Sequence, residues 1–269
     1  MKPVLVTGGT GTLGRVVVDQ LLTAGRAVRV LSRRPVPDGV DPPCTWVTGD
    51  LRRGAGLDPA VADVDTIIHC ATGLRGDVGA ARNLIAAARR AGHAHLIYIS
   101  IVGVDRVPFS YYRTKLAVEH MIERCGLPWT IQRATQFHDL ILTVAAALAR
   151  LPVMPVPAHT SFQPIDTRDV AARLVGFATG VPVGRAPDLG GPQLRSAGDL
   201  ARAYLRATGR RRPVLPVRLP GAVFGAYRQG GHLTPHHRDG KVTFEQYLAE
   251  RVAPAAGSSS SPSTAHGGS

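Results

Sequence analysis

The sequence predicts an α/β fold, in which a doubly wound parallel sheet is followed by a small C-terminal lobe. Short apolar runs without polar alternation recur through the first half of the chain, which is typical of strands that helices cover on both faces. Segments with helical periodicity alternate with these runs, as expected when crossover helices join parallel strands. A glycine-rich stretch, VTGGTGTLGR at residues 6–15, separates the first apolar run from the first helical segment.

The predicted strands and helices follow one another in order along the chain. Strands are predicted at residues 3–7, 27–32, 44–50, 65–71, 95–100 and 129–134. Helices are predicted at residues 12–25, 76–92 and 111–126, from residue 167 onward, and at 196–208, 220–229 and 243–251. The chain therefore divides into a sheet core at residues 1–150, remaining core elements with the lobe at 151–252, and a tail at 253–269. The tail has no apolar periodicity, which predicts disorder.

Composition and charge favour a cytoplasmic protein that acts on a small-molecule substrate. The chain has 269 residues, of which 44% are hydrophobic, and no apolar run approaches the roughly 20 residues that a membrane span needs. The N-terminus lacks a secretory pattern, and Cys44, Cys70 and Cys125 are too scattered for a disulfide framework or a metal site. The net charge of +13 comes from arginines that are spread along the chain with few aromatic residues, which favours a solvated basic surface over nucleic-acid binding. We expect a monomer or homodimer without nucleic-acid, membrane or metal partners.

The glycines of the first loop predict a dinucleotide site. Gly8, Gly11 and Gly14 form the pattern G-x-x-G-x-x-G between a predicted strand and a predicted helix. In a dinucleotide-binding unit these glycines allow a tight turn, the approach of the pyrophosphate and close packing of helix on strand. The N-terminus of the helix then offers free N–H groups to the phosphates. A turn that merely requires glycine is the alternative, but the strand and helix on either side favour the cofactor site.

The end of the second predicted strand favours NADP over NAD. An NAD site usually has Asp or Glu there, about 20 residues beyond the loop, to bind the ribose 2′-hydroxyl. This chain instead has Ser32, Arg33 and Arg34, and guanidinium groups bind a 2′-phosphate through charge-assisted hydrogen bonds. Arg15 could reach the same phosphate. The alternative is that the arginines are surface charges and that Asp38 serves NAD. The sequence therefore predicts a Rossmann-type NADP-binding core.

The segment SYYRTK predicts a catalytic pair at the start of the helix that follows the fifth strand. Tyr111 and Lys115 are four residues apart and so share a helical face. A nearby ammonium would stabilise the phenolate and lower the pKa of Tyr111, which could then protonate a carbonyl oxygen. Ser100, near the end of the fifth strand, could donate a hydrogen bond to the same oxygen. Tyr112 is three residues from Lys115 and is the alternative proton donor.

Several segments together resemble one known superfamily. TGGTGTLGR, the GD at 49–50, ARNLIAAARRAG, YIS, YYRTKLAVE and PIDTRDVA occur in the order expected of short-chain dehydrogenases/reductases. The chain most resembles the atypical, NmrA-like branch of NAD(P)H-binding proteins, and the likeness covers about residues 3–180. Two departures are visible: Ala134 and Thr135 replace the usual proline and glycine, and Ser100 lies closer to Tyr111 than is usual.

The resemblance implies a role for each matching position. The pyrophosphate would lie on Gly8, Gly11 and Gly14 and on the backbone of Thr10, Thr12 and Leu13. The 2′-phosphate would lie on Arg33 with Ser32 or Arg15, the adenine beside Asp50 and Leu51, and the ribose side beside Ala71, Thr72 and Gly73. Lys115 would bind the nicotinamide ribose and Tyr111 would deliver the proton. The expected contacts to substrate or nicotinamide are Thr135, Gln136 and Phe137, with Tyr112 as a further substrate contact.

The function that follows is NADPH-dependent reduction of a carbonyl or conjugated acceptor on a small organic molecule. The alternatives are a non-catalytic NADP(H)-sensing protein and, less favoured, a nucleotide-sugar epimerase or dehydratase. Three other features are given structural interpretations. Asp166 is interpreted as a helix N-cap and Asn83 as a buried hydrogen-bonding residue. The His232, His236 and His237 segment is interpreted as a solvated loop without metal-site spacing.

Overall fold

The computed structural model describes residues 2–36, 39, 41–73, 76–92 and 94–252. Asp38, the alternative NAD contact, and the tail at 253–269 lie outside the described residues. The strands in chain order are β1 (Val4–Thr7), β2 (Val28–Ser32), β3 (Thr45–Thr48), β4 (Thr66–His69), β5 (His95–Ile101), β6 (Trp129–Ala134), β7 (Met154–Pro157), β8 (Ser161–Phe162), β9 (Gly184–Arg185), β10 (Arg195–Ser196) and β11 (Val214–Val217).

Seven of these strands form one parallel sheet, in the order β3-β2-β1-β4-β5-β6-β9. The chain runs outward from β1 to β3 and then returns to the other side of β1 with β4. The direction of winding therefore reverses between β1 and β4, and ligands of such sheets bind outside the carboxyl ends of the strands at that point. The predicted doubly wound sheet is confirmed. Its first six strands lie where the sequence predicts them.

Helices cover both faces of the sheet. They are α1 (Thr12–Thr23), α2 (Leu57–Val61), α3 (Asp77–Ala91), α4 (Ser110–Glu123), α5 (His138–Leu148), α6 (Thr167–Thr179), α7 (Ala197–Ala207), α8 (Ala222–Arg228) and α9 (Phe244–Arg251). Leu5 of β1 packs in a core with α2, α3 and α4, whereas its neighbours Val4 and Val6 pack in a second core with α1 and α6. Apolar residues on both faces explain why the strands lack polar alternation.

The lobe after β6 has its own core and contains α5, which, like the short α2, is not predicted from the sequence. Helices α5, α7 and α9 pack together with β7 around Met154, Tyr204 and Tyr247. Helix α5 is apolar on most sides, with Leu140 and Val144 exposed, so it lacks the polar face by which an amphipathic helix is recognised. Helices α6 to α9 confirm the predictions made for residues 167–251. None of the described helices is long and apolar enough to cross a membrane.

A buried charge network fixes α4 against the sheet. The carboxylate of Glu119 in α4 is fully buried and accepts hydrogen bonds from Arg133 of β6, at 3.0 and 2.7 Å, and from Arg185 of β9, at 2.9 Å. Burial alone would raise the pKa of Glu119, but the Arg133 hydrogen bond and charge hold it below its ordinary value. Arg133 also donates to Asp105 at 2.8 Å. The position of α4, and of every side chain on it, therefore depends on strands β6 and β9.

Candidate cofactor and active site

The glycine loop joins β1 to α1 in a turn that leaves no room for side chains. Gly8 has φ +70°, and a Cβ atom there would lie 2.6 Å from the backbone nitrogen of Ala71, directly after β4. A Cβ atom on Gly14 would lie 2.0 Å from the carbonyl oxygen of Gly8. Gly11 N–H donates to that same carbonyl at 2.9 Å. The loop is thus packed against the chain that leaves β4, at the point where the winding of the sheet reverses.

Helix α1 begins with open N–H groups. Its N-cap is Gly11, with no side-chain cap and no acidic residue in the first turn. The amides of Thr12, Leu13 and Gly14 have no acceptor within an α-helix, and the positive end of the helix dipole lies at the same place. This arrangement fits a pyrophosphate: the glycines leave space for it and the amides would donate to it. The predicted pyrophosphate contacts are therefore brought together, with Thr10 and Arg15 exposed at the loop.

Arginines surround a cleft beside the end of β2. The cleft has a volume of about 510 Å³ and is lined by Arg33, Asp50, Arg52 and Arg53. Asp50 accepts a hydrogen bond from the Arg52 amide at 2.8 Å, which closes the turn that follows β3. Arg33 was predicted to hold a 2′-phosphate, and Arg52 and Arg53 were missed. The sequence signal for Arg52 and Arg53 is the segment GDLRRG at residues 49–54, in which only Asp50 and Leu51 are predicted to contact the cofactor, beside the adenine.

Hydrogen bonds to the backbone hold both rims of this cleft. Ser32 Oγ accepts from the Arg34 amide at 3.1 Å, and Trp46 Nε1 donates to the Arg34 carbonyl at 2.9 Å. On the other rim the amide of Asn83, which is half-buried, donates to the Leu51 carbonyl at 2.8 Å. Asn83 is confirmed as a hydrogen-bonding residue but is half-buried and not buried as predicted, and it supports the loop that would flank the adenine.

Replacing Arg33 with alanine is expected to weaken NADPH binding about 10- to 100-fold and to leave NADH binding nearly unchanged. The loss corresponds to one or two hydrogen bonds between a guanidinium and a phosphate, at about 1.5 to 3 kcal/mol in all. Calorimetric titration with each cofactor measures the effect. Arg34→Ala is the matched control, because the Arg34 contacts within β2 and β3 use its backbone. Equal weakening of NADPH and NADH binding by Arg33→Ala would contradict the assignment.

The Tyr111 hydroxyl lies on the loop that follows β4. It is 2.8 Å from Thr72 Oγ1, and Thr72 in turn donates to Asp77 Oδ2 at 3.0 Å. The other oxygen of Asp77 accepts from the Gly73 amide at 2.8 Å. The structure therefore brings Tyr111 together with the predicted ribose-side residues Thr72 and Gly73. Asp77 was not singled out in the sequence, where it is only the first residue of α3.

Lys115 is buried on the side of α4 that faces the sheet. Its ammonium donates to the Ile99 carbonyl at 3.2 Å and lies 4.7 Å from the centre of the Tyr98 ring. Burial lowers its pKa to about 8, although the charge of Asp77 opposes the decrease. The ammonium makes no hydrogen bond with Tyr111 in the described structure. The predicted lowering of the Tyr111 pKa is wrong: burial raises it, the Thr72 hydrogen bond lowers it and Asp77 raises it, with a net increase.

Two further predicted contacts turn away from Tyr111. Ser100 is buried and faces the Glu119 carboxylate on the sheet-facing side of α4. The next residue, Ile101, instead packs with Tyr111 and Tyr112. Ser100 is thus packed in the core beside Glu119, and its hydrogen bond to a substrate oxygen stays a prediction. Thr135 is also structural, because its hydroxyl donates to the Gln163 carbonyl at 2.5 Å and accepts from the Gly191 amide at 3.2 Å.

The remaining substrate candidates face the C-terminal lobe. Tyr112 is buried, and its hydroxyl accepts from Tyr227 of α8 at 3.4 Å. Gln136 is also buried; its amide lies beside the Tyr112 hydroxyl and acts to lower the Tyr112 pKa, but neither of its polar atoms makes a hydrogen bond of good geometry among the described residues. Phe137 is the N-cap of α5 and packs partly into the core of the sheet. Tyr112 and Gln136 thus remain candidates for substrate contact, on the side of the lobe.

Two interpretations from the second half of the chain have different outcomes. Asp166 is the N-cap of α6 and accepts from the Arg168 amide at 2.8 Å, so that interpretation is confirmed. The interpretation of this segment as a solvated loop is wrong for His232, which is fully buried. Its Nε2 is hydrogen-bonded to the Ser161 carbonyl at 2.9 Å. Its ring contacts Tyr227 at 4.3 Å between centres, and burial lowers its pKa to about 4. His232 is therefore a neutral core residue that anchors the lobe beside Tyr227.

A sequence profile described as NAD(P)H-binding matches residues 8–176, more than half of the chain. The chain belongs to this NAD(P)H-binding family. The predicted recognition as an atypical short-chain dehydrogenase/reductase is thereby confirmed. The match begins at the first glycine of the loop and ends in α6, so it includes the glycine loop, the arginine cleft and the Tyr111 segment.

Relatives of this family member include reductases. A Streptomyces griseus enzyme, (4-alkanoyl-5-oxo-2,5-dihydrofuran-3-yl)methyl phosphate reductase, is 32% identical over 216 residues, covering 77% of this chain and 74% of the relative. The photosystem II assembly factor of Trieres chinensis is 28% identical over 180 residues, 62% of this chain and 56% of the relative, so the match spans about half of that protein. An NADPH-dependent quinone oxidoreductase of Escherichia coli superposes with a TM-score of 0.78 over 92% of this chain and 99% of its own, at 19% identity, and shares the fold.

Proposed function

We propose that the protein is an NADPH-dependent reductase of a carbonyl or conjugated acceptor on a small organic molecule. One chain of contacts carries this proposal. Gly8 packs against the backbone of Ala71, the next residue is Thr72, and the Thr72 hydroxyl is bonded to Tyr111. The phenol is thereby held on the loop after β4, beyond the pyrophosphate position at the glycine loop, where the nicotinamide half of a dinucleotide bound at the switch point would lie.

The chain's own residues supply binding, orientation and a proton. The bound cofactor would supply a hydride, and the protein positions it. The α1 amides would hold the pyrophosphate and Arg33, with Arg52 or Arg53, the 2′-phosphate. Tyr111 would give its proton to the substrate oxygen. Lys115, with a pKa of about 8, is largely protonated at neutral pH and would donate to the nicotinamide ribose.

Gln136 supports a substrate pocket on the lobe side of Tyr111. A buried amide that lacks partners is costly, and nearly all such groups in folded proteins find one. Its neighbour Tyr112 is paired with Tyr227, so this wall combines aromatic rings with hydroxyl and amide groups. A planar organic acceptor that carries a carbonyl group fits such a wall, because the rings would contact its faces and the amide N–H would donate to its oxygen.

The relatives support reduction, and the arginine cleft supports NADP as the cofactor. The Streptomyces griseus relative is named a reductase, and the Escherichia coli structure is that of an NADPH-dependent oxidoreductase. The raised pKa of Tyr111 favours a second candidate, a protein that binds NADP(H) without turnover, because a weak phenol acid donates its proton less readily.

A cofactor-oxidation assay separates the two candidates. Purified protein is mixed with NADPH or NADH and with a panel of quinones, diketones and aldehydes, and the loss of NADPH absorbance is followed. The proposed reductase is expected to oxidise NADPH with at least one acceptor class and to prefer NADPH to NADH. Tight NADPH binding without oxidation across the panel would favour the sensing protein. A protein that binds neither cofactor would overturn both candidates.

A further inference from the structure

A line of three hydrogen-bonding groups leads from Tyr111 toward solvent. Thr72 is exposed, Asp77 is half-buried, and the links are 2.8 Å from Tyr111 to Thr72 and 3.0 Å from Thr72 to Asp77. Both distances are those of good O–H···O hydrogen bonds. Asp77 is held in place by the Gly73 amide at 2.8 Å. The loop after β4 and the first residue of α3 therefore meet the tyrosine of α4 in one continuous path.

The chemistry of the groups gives this line a direction. An ionised carboxylate only accepts hydrogen bonds, so the Thr72 hydroxyl must donate to Asp77. Thr72 has one proton to donate, and the hydrogen bond with Tyr111 therefore uses the Tyr111 proton. Between turnovers the Tyr111 proton is therefore directed along the line, and the hydroxyl must turn toward the substrate oxygen before it donates to it.

We propose that Asp77 and Thr72 form a proton relay that returns a proton to Tyr111 after each turnover, and that they position its hydroxyl between turnovers. This proposal rests on the proposed function. Once Tyr111 has given its proton to the substrate oxygen, its phenolate takes the Thr72 proton. Because the ionised Asp77 has no proton to give, it first takes one from a water molecule and passes it to Thr72 as the Thr72 proton moves to the phenolate, which leaves Asp77 ionised again. One proton enters from solvent and one leaves to the substrate; in the relay only O–H bonds form and break, and nothing is oxidised or reduced.

The titratable groups around Tyr111 belong to three elements. Asp77 faces it from α3, Tyr98 from β5, and Lys115 and Tyr112 lie on α4 itself. Of these, Asp77 is a carboxylate that raises the pKa of Tyr111, whereas the Thr72 hydrogen bond lowers it. Removal of the Asp77 charge is therefore expected to lower the pKa of Tyr111. Removal of the Thr72 hydroxyl is expected to raise it, because that hydroxyl turns and donates to the phenolate once Tyr111 is ionised.

The first experiment is an ultraviolet titration of the phenol in the protein alone. The Tyr111 signal is the difference between each protein and its Tyr111→Phe counterpart. Asp77→Asn keeps an oxygen for the Gly73 amide and is expected to lower the pKa of Tyr111. Thr72→Val is expected to raise it, and Thr72→Ser, which keeps the hydroxyl, to restore it toward the wild-type value. Asp58→Asn, which removes an exposed first-turn carboxylate from α2, is the matched control and is expected to cause no shift.

The second experiment measures turnover with the best acceptor of the panel in H₂O and D₂O. Asp77→Asn and Thr72→Val are expected to lower kcat roughly 10-fold and to increase the solvent isotope effect, because proton return becomes slow. Unchanged kcat and isotope effect in both variants would show that water reprotonates Tyr111 directly, and would overturn the relay while leaving the proposed function intact. Absence of the opposite pKa shifts would also overturn it. A wild-type protein that reduces no acceptor would overturn the proposed function and the relay together.

Discussion

Replacing Tyr111 with phenylalanine is expected to lower the rate of acceptor reduction about 10²- to 10⁴-fold, the usual contribution of a positioned general acid. The ring is retained, and it packs against Phe109 and Tyr112 at 6.4 and 6.5 Å between centres, so the fold is preserved. Only the hydroxyl and its hydrogen bond to Thr72 are lost. NADPH affinity is expected to change little, because the phosphate contacts lie on the glycine loop and in the arginine cleft.

The measurement is kcat and KM for the best acceptor, together with calorimetric binding of NADPH. Tyr112→Phe is the comparison, because the Tyr112 hydroxyl is buried and paired with Tyr227 of the lobe. We expect Tyr112→Phe to affect KM for the acceptor more than kcat. Wild-type turnover by Tyr111→Phe, or a larger decrease in kcat with Tyr112→Phe, would show that Tyr111 is not the proton donor.

Replacing Gly14 with alanine is expected to reduce NADPH affinity about 100-fold or more. The new Cβ atom would lie 2.0 Å from the Gly8 carbonyl oxygen and 2.6 Å from its carbon, and neither backbone atom can move without shifting the loop. Such a shift turns the α1 amides away from the phosphates. The loss of two charge-assisted hydrogen bonds at about 1.5 kcal/mol each corresponds to roughly 100-fold in affinity.

Calorimetry with NADPH and thermal unfolding check this expectation. Gly79→Ala is the matched control, since Gly79 lies inside α3 and a Cβ atom there would meet nothing within 4 Å. That control is expected to stabilise the protein by about 0.5 to 1 kcal/mol and to keep its NADPH affinity. Wild-type affinity in Gly14→Ala would contradict the assignment of this loop to the pyrophosphate.

The sheet and the glycine loop could be predicted because their signals are local. A strand covered on both faces is apolar along its length, and the glycines at 8, 11 and 14 lie between one such strand and a helix. Asp166 was predictable for the same reason, as an N-cap is defined by the residues that follow it. In each case the information lies within about ten residues of sequence.

The features that could not be predicted depend on contacts between segments that are distant in the sequence. Lys115 is four residues from Tyr111, yet its ammonium reaches the carbonyl of Ile99, and the carboxylate that acts on Tyr111 belongs to Asp77. His232 lies in a polar segment but is enclosed by the lobe. Arg52 and Arg53 join Arg33 only because β3 lies beside β2. No spacing along the chain reports such neighbours.

The network around Glu119 limits how the chain can be divided. The match to the NAD(P)H-binding profile ends at residue 176. Arg185, one of the two arginines that neutralise Glu119, comes after that residue. A fragment that ends at residue 176 would lack one of the two arginines that neutralise the buried Glu119, beneath the helix that carries Tyr111. Arg133 would still donate two hydrogen bonds to Glu119, so the loss is that of one charge-assisted hydrogen bond, about 1.5 to 3 kcal/mol, which is still a substantial part of the stability of an ordinary domain. The helix that carries Tyr111 therefore depends for part of its stability on β9, the outermost strand of the sheet.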